Sequence, residues 1–134
     1  MLNKRFTSIL FLTLSFLFPC LAAGDGGGGR FLRFDEPYVD LGEVDASLEE
    51  VAVEFAFTNI HSAPVTVVDV YAQCSCTRPS FSPMVIKPGG GATIKVKLLL
   101  KDLTGPQKRH LTVISTDGEK RRFSTISIIC AVKR

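Results

Sequence analysis

The 134 residues carry 46% hydrophobic and 22% charged side chains, no Trp, and sixteen Lys and Arg against thirteen Asp and Glu. That is one globular domain's worth of sequence, and it excludes a disordered, collagen-like or disulfide-dense chain. The first 23 residues hold Lys4 and Arg5 and no acid, so fourteen bases face thirteen acids in the remainder. A nearly neutral domain has no electrostatic hold on nucleic acid or on an anionic membrane.

Asn3-Lys4-Arg5 is a short basic start, Phe6 to Phe18 carries no charge, and Leu21-Ala22-Ala23-Gly24 supplies small residues for cleavage. This layout predicts a secretory signal peptide over residues 1–23 and a periplasmic or secreted mature protein. The apolar run falls short of the ~20 residues that cross a bilayer. Extending it to Ala23 leaves an uncleaved anchor as an alternative. Cys20 offers another, a lipidated cysteine that would make the chain a membrane-anchored lipoprotein. Phe18 and Pro19 stand where a lipobox carries small residues, which counts against it. Membrane contact is expected only through such an uncleaved or lipidated N-terminus. Residues 24–30, rich in glycine, predict a flexible tether, and residues 31–134 the folded domain.

Val51, Val53, Phe55 and Phe57 alternate with Ala52, Glu54, Ala56 and Thr58, a period of two that predicts a strand. Val65 and Val67 hold one phase, Val68 and Val70 the other, which predicts a β-bulge or a crossing between sheets. The same period returns at Ile94, Val96, Leu98 and Leu100, at Leu111 and Val113, and at Ile126, Ile128, Cys130 and Val132. Turn chemistry separates these runs at Asn59 to Pro64, Pro79 to Pro83, Pro88 to Gly91, Gly105-Pro106 and Asp117-Gly118. Asp117-Gly118 is the strongest hairpin signal. The expectation is an all-β chain, an immunoglobulin-like antiparallel β-sandwich of about seven strands. Its core would include Val53, Phe55, Ile94, Val96 and Ile128.

Residues 24–69 hold ten acids and two bases, and residues 70–134 three acids and twelve bases. Greek-key connections interleave early and late strands, so the two halves are expected to neutralise each other. If residues 51–58 pair with 92–100, Glu54 lies near Lys95 or Lys97 on an outer face. Each such exposed pair contributes only a few tenths of a kcal/mol.

Three cysteines lie in the expected domain: Cys74, Cys76 and Cys130. In extended backbone Cys74 and Cys76 would point to one side with Cα atoms about 6.6 Å apart, near the upper limit for a disulfide. Closing that pair requires a turn. As parallel thiolates the two would also suit Cu(I), whereas Zn(II) would want two more ligands. His61 and His110 are not at ligand spacing from the pair, so zinc lacks its further ligands; no cofactor is expected, and Cys74 and Cys76 stand as the metal candidates. Cys130 shares the phase of Ile126 and Ile128 and points into the core. An odd cysteine count leaves at least one thiol free or paired between chains. The cysteines therefore stand open between packing, one disulfide, redox exchange and metal binding.

No Gly-x-Ser-x-Gly elbow frames a nucleophile, and no enzyme is expected. Pro88-Gly89-Gly90-Gly91-Ala92-Thr93 lacks the Gly-Lys-Ser/Thr ending of a phosphate loop and opens a strand, so it reads as a hairpin turn. Glu49-Glu50 and Lys120-Arg121-Arg122 read as solvated strand ends, and His61 and His110 as surface residues.

The order Tyr38-Val39-Asp40-Leu41-Gly42-Glu43-Val44, Phe55-Ala56-Phe57-Thr58-Asn59, Ala63-Pro64-Val65-Thr66-Val67, Cys74-Ser75-Cys76-Thr77, Ile86-Lys87-Pro88-Gly89 and Ile94-Lys95-Val96 resembles a bacterial envelope family. Its members are exported domains of unknown function, related to the immunoglobulin-like modules of hydin and major sperm protein. The resemblance implies fold and compartment and no activity. This chain has Leu41-Gly42 for the family's Phe-Gly and Asn59-Ile60-His61 for Asn-Thr-Gly. It has Ser75 between the cysteines, and Cys130 where a glycine is common. Ser75 lacks glycine's freedom, which counts against a tight Cys74–Cys76 ring. The functional expectation is a non-enzymatic binding module of the cell envelope. Its partner would be another envelope protein, engaged through strand edges or residues 59–64, 77–90 and 102–107. The alternative is Cu(I) binding or disulfide exchange through Cys74 and Cys76.

Overall fold

The computed structural model describes residues 30–134; the expected signal peptide, Cys20 and all but the last residue of the tether lie outside them. Nine strands form among the described residues: β1 (Leu32–Phe34), β2 (Tyr38–Asp45), β3 (Glu50–Asn59), β4 (Val65–Ala72), β5 (Thr77–Ser80), β6 (Met84–Ile86), β7 (Gly91–Leu99), β8 (Gly105–Thr116) and β9 (Arg121–Lys133). One sheet runs β1-β3-β7-β5 and the other β2-β9-β8-β4-β6. Each connection up to β8 passes from one sheet to the other, and β8–β9 alone is a hairpin within a sheet. The result is an immunoglobulin-like sandwich with two strands more than the sequence led us to expect. Its one departure from antiparallel pairing is β2, which runs parallel to β9.

The alternating runs fill the space between the sheets. Val53, Phe55 and Phe57 of β3 and Ile94, Val96 and Leu98 of β7 are buried from one side. Leu111, Val113, Ile126 and Ile128 are buried from the other. In β4, Val67 faces Ser115 while Asp69 faces the next β8 residue, Ile114, so Val68 is the extra residue of a bulge. That single insertion reverses the phase and returns Val70 to the core.

The strand pairing also accounts for the uneven charge. Acid-rich β3 lies beside base-rich β7, with Glu54 opposite Lys95; Glu54 and Lys95 approach to 3.9 Å and Glu50 and Lys97 to 3.1 Å. Both pairs are exposed, and each is worth a few tenths of a kcal/mol.

Asn59, 1% exposed, organises one end of the sandwich. Its Nδ2 donates to the carbonyls of Ala63 (3.0 Å) and Ile86 (2.9 Å), and its Oδ1 accepts from His61 N–H (2.8 Å). Its backbone N–H donates to Gly90 O and its carbonyl accepts from Gly89 N–H. The 60–64 loop, the end of β6 and the 87–90 turn are thereby tied together. Neither Ile60 nor His61 takes a positive φ, so this segment needs no glycine. The Pro88-Gly89 turn joins β6 to β7 across the sheets, which makes it an arch and corrects the expected hairpin.

Gly91 opens β7 against β3. A Cβ there would sit 2.8 Å from the Phe57 carbonyl oxygen, closer than van der Waals contact allows. Gly91→Ala should therefore push β7 away from β3 and cost about 1–3 kcal/mol, read as a lower denaturant midpoint at unchanged slope.

Candidate functional site

Cys74 and Cys76 lie where the chain leaves β4 and crosses to β5. Thr77 N–H donates to Cys74 O (3.0 Å), closing a tight turn, and the two Cα atoms are 5.2 Å apart in a disulfide. The chain makes the turn that closing the pair requires. Ser75 is not among the residues with positive φ, so this turn does not need glycine, and the objection to a tight ring falls. Leu99 N–H donates to Cys76 O (2.7 Å), and Thr77, buried, pairs with Leu98. The ring is therefore pinned to β7 on its carboxyl side.

The two sulfurs differ. Cys74 Sγ accepts the backbone N–H of Cys76 at 3.2 Å. Cys76 Sγ lies 3.6 Å from Thr77 Oγ1; Cys76, half-buried and packed against the core, is one of the residues lining a cleft of about 280 Å³, with Ser75, Arg78, Leu99, Lys101, Asp102 and Leu103. Arg78 and Lys101 bring cations to that cleft, and sequence reasoning missed both. Arg78 could have been noticed two residues beyond Cys76. Lys101 arrives only through the pairing of β5 with β7.

Among the described residues Cys130 is the free cysteine, 3% exposed inside the core. Burial pushes its thiol pKa up; Arg109 partly offsets this and Asp40 adds to it. A thiol held protonated and walled off from solvent is a poor nucleophile. Among the described residues no group of three or more His, Cys, Asp or Glu could hold a metal ion.

His61 and Arg122 are less simple than surface residues. The His61 ring packs against Phe31 at 4.4 Å between centroids, tilted by 38°, and its Nε2 lies 3.3 Å from Asp117 Oδ2. The Arg122 guanidinium lies over the Phe31 ring at 5.6 Å. Backbone N–H groups of Lys120 and Glu119 hold the Asp117 carboxyl below its usual pKa, with His61 contributing. His110 Nδ1 meets Ser127 Oγ at 2.7 Å. The three segments expected as binding loops do not form one surface: 59–64 packs at the Asn59 end, 102–107 runs into β8, and 77–90 contains β5 and β6.

The two outer faces also differ. The four-stranded sheet presents Glu50, Glu54, Lys95, Lys97 and Arg78. Across the five-stranded sheet, in-register rows read Phe123–Ile114–Asp69 and Thr125–Thr112–Tyr71. Phe123 is 68%, Val85 66%, Tyr38 64% and Tyr71 57% exposed.

The family described as "Protein of unknown function (DUF1573)" matches residues 32–128. The chain belongs to that family. No curated protein matches this sequence. Among solved structures, the fold is similar to the PapD-like domain 7 of human CEP192 (8% identity, TM-score 0.61, 78% of this chain and 86% of that one). It is similar to the YadV chaperone (10%, 0.60, 78% and 53%). It is also similar to the VesB protease of Vibrio cholerae (14%, 0.64, 76% and 32%). At these identities the likeness is one of fold. The DUF1573 chain spans about a third of the protease and about half of the chaperone.

Proposed function

We propose that the protein is an exported, non-enzymatic binding module of the bacterial cell envelope, and that its partner is another envelope protein. The carrying observation is the outer face of the five-stranded sheet, where two aromatic rings, Phe123 and Tyr71, stand exposed on β9 and β4, the strands on either side of the central β8. Exposed apolar side chains in one neighbourhood mark interaction surfaces, and aromatic residues are enriched at the centre of such contacts. The ion-paired face of the other sheet has no such character. The likeness of fold to a chaperone supports a binding role, and the basic-apolar-small start of the sequence supports export.

A photo-activatable residue placed at Phe123 or Tyr71 in cells should capture one envelope protein, and the same residue at Lys97 should not. Capture that is equal from both faces, or that fails from Phe123 and Tyr71, overturns the docking face.

A second reading, disulfide exchange through Cys74 and Cys76, draws on a separate observation: Cys76 of the bonded pair lines a cleft on the molecular surface. Cu(I) carriage by the same residues would require both as thiolates, and so concerns only the reduced protein.

A further inference from the structure

We infer that the Cys74–Cys76 disulfide is an exchange site with a fixed polarity: an incoming thiolate attacks Cys76 through the cleft, and Cys74 departs as the thiolate. The inference rests on the exchange reading above and adds which sulfur is attacked, which leaves, and what class of molecule is the co-reactant.

Three features set the direction. Cys76 lines the cleft, which is where a thiol can approach, and Cys74 is not among the residues that do so. The backbone N–H of Cys76 already points at Cys74 Sγ, at 3.2 Å. A hydrogen bond to a charged acceptor is stronger than one to a neutral acceptor, so this donor favours the state in which Cys74 carries the negative charge; the Thr77 hydroxyl, 3.6 Å from Cys76 Sγ, is the longer contact. A leaving thiol that is stabilised as thiolate leaves faster. Finally, Arg78 and Lys101 line the same cleft against the single acid Asp102, and the net positive charge attracts an anionic nucleophile.

The electron balance is that of ordinary exchange. A thiolate of a small or protein-borne thiol forms a bond to Cys76 Sγ as the Cys74–Cys76 bond breaks, and the electron pair goes to Cys74 Sγ. A second thiolate then attacks the sulfur of the co-reactant in the mixed disulfide and releases Cys76 as thiolate. Two thiols are oxidised to one disulfide, and the Cys74–Cys76 pair takes up two electrons. Cys130, buried inside the core, takes no part.

The test uses the full-length wild-type protein and reduced glutathione. The reaction is quenched with acid, free thiols are alkylated, and the peptide containing Cys74 and Cys76 is fragmented in a mass spectrometer. Glutathione should be found on Cys76 with the alkyl group on Cys74, in about tenfold excess over the opposite arrangement, a ratio equivalent to about 1.4 kcal/mol. Glutathione found mainly on Cys74, or evenly on both, overturns the polarity while leaving exchange itself intact. An unmodified disulfide after prolonged exposure overturns the exchange reading as well. A cationic thiol, cysteamine, should react more slowly than glutathione. Arg78→Ala should narrow that difference, and no change in the ratio would remove Arg78 from the account.

Discussion

Replacing Phe55 with alanine should lower the stability of the domain by about 3–5 kcal/mol, the cost of deleting a fully buried aromatic side chain. Phe55 is 1% exposed and stands opposite Ile94, also 1% exposed, in the β3–β7 pairing. The rigid walls of a two-layer core can close only partly over the space left, so a cavity term adds to the lost burial. For a domain of this size the melting temperature should fall by about 15–30 °C. Glu54, the preceding residue, faces solvent against Lys95 across the same pair of strands, and Glu54→Ala should change stability by less than about 0.5 kcal/mol. The contrast between adjacent positions is the sensitive part of the experiment. A register shift of one residue would exchange the two faces, so comparable losses at both positions would mean that the sheets do not face each other as described. Denaturant titration of both variants reads the difference directly.

What made the core legible is that β3, β7 and the end of β9 each bury one face, which leaves a period of two in the sequence. The strands that were not foreseen lack that imprint, each for its own reason. β6 is three residues long, too short to show a period. β5 holds Pro79, which read as a bend; β5 is an edge strand, where a missing N–H costs little. β2 carries a register shift between Asp40 and Glu43, with Gly42 at φ 63°, and this interrupts its alternation. Its parallel pairing with β9 was out of reach, because a hydrophobic pattern records which face is buried and not the direction of the neighbouring strand.

The candidate sites were less legible because they depend on contacts between distant positions. Phe31, His61, Asp117 and Arg122 meet at one end of the sandwich although up to ninety-one positions separate them. The residue types of Cys74 and Cys76 drew attention to them at once, but the geometry turned on one local event. A hydrogen bond from Thr77 N–H to Cys74 O bends the chain where strand rise alone suggested extension. Phe123 and Tyr71 became a face only when the register of β8 placed Ile114 and Thr112 beside them. Phe123 is out of phase with Ile126 and Ile128, and Tyr71 follows buried Val70, so the period of two turns both outward, but it does not record that their strands share a sheet.

Asn59 carries the second large effect. Asn59→Ala should cost about 2–4 kcal/mol, because it leaves the carbonyls of Ala63 and Ile86 and the N–H of His61 without their partners. The Ile86 carbonyl is the costly one: its bond to Asn59 is buried, whereas the other two groups are partly open to water. Asn59→Asp tests the same network by charge. The new carboxylate would keep the acceptor for His61 N–H and turn a second oxygen toward two carbonyl oxygens, which disfavours ionisation in a buried position. Its pKa in the folded state would therefore lie above the unfolded value of about 3.9. The folded state then binds more protons than the unfolded state between those two values, so stability falls as pH rises through that window. The aspartate variant should thus lie closest to wild type near pH 4 and fall behind it toward pH 7, while the deficit of the alanine variant stays flat. Parallel denaturation curves at the two pH values would show it. A deficit in the aspartate variant that does not vary with pH would mean that the Asn59 amide does not face those carbonyls, and that something else ties the 60–64 loop to β6.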